Sequence, residues 1–209
     1  MKEFQQELVS LLGADAVKAE EPMKNHTTFR IGGPARYFIT PKTTDHLTQA
    51  IALCQEARLP YTVIGNGSNL LVSDKGWRGA VISTENLKAF QISGTAIWAE
   101  AGISLARLAR LALDSSLTGL EFAAGIPGTL GGALVMNAGA YGQEMKDILT
   151  TTHILTPDGT IHKIPASQLH LSYRTSIIPR EHYTVLSAEL TLKKGDPHSI
   201  KTRMEDLAS

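Results

Sequence analysis

The chain has 209 residues, enough for one or two compact domains with a buried core, and its 20 basic and 20 acidic residues cancel. With 43% apolar and 19% charged residues it has the make-up of an ordinary soluble globular protein; no basic run offers phosphate-backbone attraction to nucleic acid, and no apolar run approaches the roughly 20 residues that cross a bilayer. Its one cysteine, Cys54, excludes an internal disulfide framework and a Cys-based zinc or iron–sulfur centre, and fits a reducing, cytoplasmic setting.

Phe4, Leu8, Leu11 and Leu12 recur at helical spacing, with Gly13 able to end the helix, and this pattern is not that of a signal peptide. Residues 25–34 read as an ordered loop punctuated by Gly32, Gly33 and Pro34, followed by a short strand at 36–40. Thr43 or Thr44 can cap a helix to about Arg58, with Leu47, Ala50, Ile51, Cys54 and Ala57 as its apolar stripe. Residues 61–64 form a buried-type strand that runs into a Gly-rich loop, and short strands are expected at 70–72, 80–83, 87–92 and 96–100. Ser104 can cap a helix over 105–117 whose inner face carries Leu105, Leu108, Ala109 and Ala112. A second Gly-rich stretch contains a short helix near 131–137. Strands at 151–156 and 160–164 flank the turn signal Pro157-Asp158-Gly159. Residues 183–192 alternate as a half-buried strand, and Asp196-Pro197 opens a last helix with Ile200, Met204 and Leu207. The fold class is α+β with mixed sheets and two subdomains: residues 1–93, residues 94–195, and residues 196–209 as the start of a linker, the boundary lying near Ser93-Gly94-Thr95.

The chemistry concentrates in the two Gly-rich stretches. The first is Gly65-Asn66-Gly67-Ser68-Asn69; the second places seven glycines between Gly119 and Gly142, among them Gly125, Gly128, Gly131, Gly132 and Gly139. Glycine lets backbone N–H groups approach and converge on an anion, since no Cβ holds the chain away and φ > 0 is open. Ser68 and Asn69 add side-chain donors, and Gly131 and Gly132 would let a helix N-terminus reach phosphate. A Walker loop needs a Gly-Lys-Ser/Thr that is missing, and a Rossmann fingerprint needs glycine where Leu70 stands. Two such loops suit a diphosphate-bearing flavin dinucleotide; the plainer reading is that the glycines make tight turns. Arg30 and Arg36 could touch phosphate or pair with carboxylates. His26 reads as a hydrogen-bonding loop residue, Cys54 as a buried thiol, and the scattered His162, His170 and His182 give no metal-site spacing. Ser68 lacks the elbow of a nucleophilic serine because Leu70 fills its last position.

Four segments carry a resemblance. They are residues 25–35 (Asn-His-Thr-Thr-Phe-Arg-Ile-Gly-Gly-Pro-Ala), 65–71 (Gly-Asn-Gly-Ser-Asn-Leu-Leu), 119–142, which holds Gly-Leu-Glu-Phe-Ala-Ala-Gly-Ile-Pro-Gly-Thr and Met-Asn-Ala-Gly-Ala-Tyr-Gly, and 171–176 (Leu-Ser-Tyr-Arg-Thr-Ser). In this order, over about residues 25–176, the chain resembles the UDP-N-acetylenolpyruvoylglucosamine reductase family. The resemblance implies the two-subdomain FAD fold of the p-cresol methylhydroxylase (vanillyl-alcohol oxidase) type, with FAD between the subdomains. It implies that NADPH reduces the flavin, which passes hydride to an enolpyruvyl sugar nucleotide in peptidoglycan precursor synthesis. Gly65, Asn66, Gly67, Ser68, Asn69, Pro127, Gly128, Thr129, Gly131, Gly132, Asn137 and Gly139 are the implied cofactor-binding residues. Tyr173 and Arg174 align with the family's active-site pair, Arg174 as a bidentate partner for the charge that develops on the enolpyruvyl carboxylate. The family's proton-donating serine sits in a Gly-Ser-x-Phe-Lys-Asn-Pro segment of a C-terminal substrate domain that this sequence lacks. The expectation is therefore the FAD-binding part of the reductase, a cytoplasmic monomer with little turnover by itself, acting on a small sugar nucleotide and on neither nucleic acid nor membrane. A silent flavin-binding module, or another FAD protein of the same fold such as the flavin subunit of a molybdenum hydroxylase, are the alternatives; the Ser-Tyr-Arg-Thr-Ser segment speaks against the latter.

Overall fold

The computed structural model describes residues 2–208. They divide after Leu87 into two compact units. The first contains α1 (Lys2–Leu12), β1 (Val17–Pro22), β2 (Pro34–Ile39), α2 (Thr44–Glu56), β3 (Tyr61–Ile64) and β4 (Trp77–Ser83). Gly13 at φ 87° ends α1 in a conformation that a Cβ disfavours. The Thr43 hydroxyl caps α2 by accepting the His46 N–H at 3.1 Å, and Leu47, Ala50, Ile51 and Cys54 are its buried stripe. Burial pushes the Cys54 thiol up to about 12, so it is an inert packing group.

The strands form one mixed sheet in the order β1-β2-β4-β3, with β1 antiparallel to β2, and both β2 and β3 parallel to β4. Strand side chains alternate between faces. Tyr37 therefore meets Phe4 of α1, with ring centroids 5.2 Å apart, while Phe38 points the other way into a cluster with Met23, Ile64 and Val81. That second face lies under the segment 23–33 and the first Gly-rich loop.

Strand β1 has no sequence signal, since Val17 alone is buried among exposed and half-buried neighbours; β2 recruits it as an edge. The expected strand at 70–72 does not form. Residues 73–76 turn back on residues 32–34, where the Gly33 N–H donates to the Ser73 carbonyl at 2.9 Å, so Leu70 and Val72 pack as loop side chains. The approach is tight: a Cβ on Gly33 would overlap the Asp74 carbonyl oxygen, and one on Gly76 the Pro34 carbonyl.

The second unit contains β5 (Phe90–Ser93), β6 (Ala96–Glu100), α3 (Leu105–Asp114), β7 (Leu117–Thr118), α4 (Leu130–Val135), β8 (Gly139–Ala140), β9 (Gln143–Glu144), β10 (Leu149–Leu155), β11 (Ile161–Pro165), β12 (Thr184–Thr191), β13 (Lys193–Lys194) and α5 (Pro197–Ala208). Five strands make an antiparallel sheet in the order β11-β10-β12-β6-β5. Its apolar face packs with α3 and α4 around Ile97, Ala99, Leu105, Leu108, Leu130 and Leu190. Ser104 caps α3 as expected, but the helix stops at Asp114, because Ser116 takes a positive φ of 56° and Leu117 joins β7.

Three further expectations are corrected. The boundary expected at 93/94 falls instead after Leu87, since Gly94 is the hairpin turn joining β5 to β6 of one sheet. Strand pairing begins at Phe90 rather than residue 87. Strand β12 is not half-buried: it is central, and only Glu189 and Thr191 escape full burial. Among the described residues no helix is long and apolar enough to cross a membrane.

Candidate functional site

In the first unit, a cavity of about 440 Å³ opens beside the first Gly-rich loop. Gly65 and Asn66 line it together with Asn25, Thr28, Arg30 and Ser83. Strand β3 delivers Gly65 directly from its C-terminal end, the end at which open α/β sheets bind ligands. Gly67 lies beneath, buried, at φ 64°. A Cβ there would overlap the His26 carbonyl oxygen, and the Thr28 N–H donates to the Gly67 carbonyl at 3.3 Å. Ser68 is half-buried and Asn69 exposed.

The segment 25–30 is itself braced. His26 Nε2 lies 2.8 Å from Glu21 Oε1, and its ring stacks on Phe38 with centroids 3.7 Å apart. The His26 hydrogen bond holds the Glu21 carboxyl below its ordinary range, against the opposing effect of burial, with Lys18 adding attraction. Arg30 lines the cavity in a positive-φ conformation, whereas Arg36 lies 6.0 Å over the Tyr37 ring.

In the second unit, a cavity of about 470 Å³ brings together Asn137, Gly139, Glu144, Lys146, Tyr173 and Arg174. Tyr173 and Arg174 are the two central residues of a tight turn closed by Ser172 and Thr175, whose N–H groups each donate to the other's carbonyl at 3.1 and 3.2 Å. Arg174 sits at φ 55°, and Tyr173 is 83% exposed. The Lys146 ammonium pairs with Glu144, holding that carboxyl below its ordinary range and raising the lysine in return; the Asn137 amide adds to the effect on Glu144. The sequence reading misses Glu144 and Lys146. Their signal is the opposite-charge pair that directly follows the Gly-Ala-Tyr-Gly segment.

The remaining glycine positions build scaffold. Thr129 caps α4 by accepting the Gly132 N–H at 3.4 Å. The Leu130 N–H donates to the Ile103 carbonyl at 2.9 Å, Gly131 N–H to Ala101 at 2.9 Å, and Gly128 N–H to Ile126 at 2.8 Å. The helix N-terminus expected to meet phosphate therefore has these donors already taken by the protein. Gly131 serves close packing, since a Cβ on it would stand 2.9 Å from that of Ala101. Pro127 is exposed in the loop before α4, and Asn137 is 2% exposed with its carboxamide bonded inside the protein.

The residues of the first unit fit a phosphate-bearing cofactor. In the first unit, Arg30 supplies positive charge, and Asn25, Thr28 and Asn66 supply donors around a loop that glycine keeps close. At the α4 N-terminus the N–H groups of Gly128, Leu130 and Gly131 are engaged by the protein.

A model of the FAD binding domain family matches residues 35–165. The UDP-N-acetylenolpyruvoylglucosamine reductase of Alkaliphilus oremlandii (strain OhILAs) is 48% identical over 201 residues, covering 96% of this chain and 66% of the relative. That of Clostridioides difficile (strain 630) is 44% identical over 203 residues, covering 97% and 67%. The crystal structure of UDP-N-acetylenolpyruvylglucosamine reductase from Thermus caldophilus superposes with a TM-score of 0.78 at 34% identity, over 92% of this chain and 67% of that one. p-Cresol methylhydroxylase shares the fold, with a TM-score of 0.69 at 12% identity, over 94% of this chain and 44% of that one. The chain spans about two thirds of the length of the curated relatives it matches. The α+β architecture is that of the FAD-binding fold, and the chain belongs to the FAD binding domain family and, within it, to the UDP-N-acetylenolpyruvoylglucosamine reductases.

Proposed function

We propose that the chain holds FAD and forms the flavin-binding part of a cytoplasmic reductase of peptidoglycan precursor synthesis. NADPH is the hydride donor, and UDP-N-acetylglucosamine enolpyruvate is reduced to UDP-N-acetylmuramate. The observation that carries this reading is the Tyr173–Arg174 turn beside a cavity that also holds Lys146, in a chain of this family. FAD, when bound, relays hydride from NADPH to the enolpyruvyl double bond. Arg174 answers the charge that arrives with it: electron density moves onto the enolpyruvyl carboxylate, and a guanidinium meets two oxygens with two parallel N–H donors. Tyr173 offers a phenol donor from the same turn. Gly65, Asn66, Thr28 and Arg30 hold phosphate oxygens in the first unit, supported by the lining of that cavity. The buried Cys54 supports a reducing setting.

The test is optical. The purified chain, mixed with FAD and desalted, retains flavin absorbance, NADPH bleaches it without air, and the enolpyruvyl substrate restores it only slowly, in keeping with the little turnover expected of this chain. Arg174→Lys keeps the fold and the flavin but slows the restoring step by about 100-fold, since the fork geometry is lost. A colourless chain that refuses added FAD sinks the reading. A bound flavin that NADPH never bleaches sinks its catalytic half.

A further inference from the structure

We propose that Asn137 is a positioning residue for Arg174: its buried carboxamide fixes the base of the turn that carries Tyr173 and Arg174. The inference rests on the function proposed above only for what the turn is for. Asn137 follows α4 at a positive φ of 41°, a conformation that asparagine tolerates better than most residues. Its side chain is 2% exposed and makes three hydrogen bonds. Nδ2 donates to the Ser172 carbonyl at 3.1 Å and to Glu144 Oε2 at 3.0 Å, while Oδ1 accepts the Lys146 N–H at 3.0 Å. Both amide hydrogens and one oxygen lone pair are thereby engaged.

The first of these bonds grips the residue directly before Tyr173. At the far end of the turn, Ser176 Oγ donates to the Val135 carbonyl at 2.8 Å. Both feet of the turn therefore stand on the segment 135–137, while its tip projects into the cavity. An exposed arginine alone would lose much side-chain freedom on meeting a carboxylate. A turn pinned at both feet removes the backbone part of that cost beforehand, and a shift of even 1 Å in such a group is expensive for a reaction. The other two bonds extend the same clamp to the 144–146 loop, so the cation of Lys146 and that of Arg174 are referenced to one carboxamide.

Asn137→Asp tests the idea, because aspartate keeps the shape and tolerates the same φ but lacks the N–H donors. The new carboxylate would face the Ser172 carbonyl and the Glu144 carboxylate, with Asp147 near and Lys146, Arg174 and Tyr173 lining the same cavity. Those acceptors favour its protonated form, which regains one O–H donor. The measurement is amide hydrogen exchange across residues 172–176, taken as protection relative to intrinsic rates at pH 5 to 8, with Asn137→Ala alongside. At pH 8 both variants are expected to lose protection by 10-fold or more there, with the five-stranded sheet unchanged. Toward pH 5, Asn137→Asp recovers it and Asn137→Ala does not, a pH dependence that a general loss of stability would not produce. Unchanged protection in Asn137→Asp, or equal loss in both variants at every pH, overturns the proposal. In FAD-loaded protein, the positioning role also predicts still slower restoration of flavin absorbance by substrate. A wild-type chain that takes up no FAD overturns the function proposed above and leaves the exchange result to judge the clamp.

Discussion

Gly67 reads in the sequence as an anion-loop residue, and its surroundings give it a second duty. It combines φ 64° with a Cβ direction blocked by the His26 carbonyl oxygen, which is backbone and cannot swing aside. Gly67→Ala is therefore expected to destabilise the first unit by about 2 kcal/mol or more, read as a lower urea midpoint; an unchanged midpoint would show that the two loops are not interlocked. Glu21 gives a pH signature nearby. Its folded-state pKa lies below the ordinary 4.5, chiefly through the His26 hydrogen bond. The stabilisation is thus complete above about pH 4.5 and disappears as pH falls through the lower, folded value. Urea midpoints between pH 3 and 6 should fall on acidification in the wild type, and Glu21→Gln should flatten part of that slope. Glu21 was invisible as a partner in the sequence, because nothing in a run of Glu20-Glu21-Pro22 says which carboxylate will face a histidine five residues on.

Elements with a local cause were legible. Thr43 and Ser104 cap their helices, the stripe on α2 is buried as its spacing requires, and Pro157-Asp158-Gly159 makes the β10–β11 hairpin with Gly159 at φ 83°. Elements with a non-local cause were not. Residues 70–72 have strand-like composition but pair with no strand, their side chains packing as loop, and β1 has poor composition but an edge that accepts it. Helix α4 shows the same limit at the site. Its glycines suggested phosphate, yet its first N–H groups pair with carbonyls of residues 101 and 103, whose position depends on how the end of β6 packs. Gly131→Ala should accordingly cost about 1–3 kcal/mol of stability through overpacking against Ala101, with FAD affinity altered less than about 3-fold in protein that remains folded. Lost flavin affinity at full stability would return α4 to the phosphate.

At the scale of the molecule, FAD should act as a linked ligand. At 100 times its dissociation constant it contributes about 2.7 kcal/mol, which for a chain of this size raises Tm by roughly 5–10 °C. A melting curve indifferent to FAD would count against a folded-state site. The sequence by itself determined the α+β class, the caps and turns, and the family, because each is written in local spacing or in ordered motifs. Only the tertiary structure decided which glycines face a cavity and which face backbone. It also decided that Asn137 grips the Arg174 turn, and that Glu144 and Lys146 join it. The physical reason is that a hydrogen bond such as Asn137–Ser172, or a Cβ blocked as at Gly67 by His26, depends on distances between residues far apart in the chain. Those distances are set by packing, which no local pattern encodes.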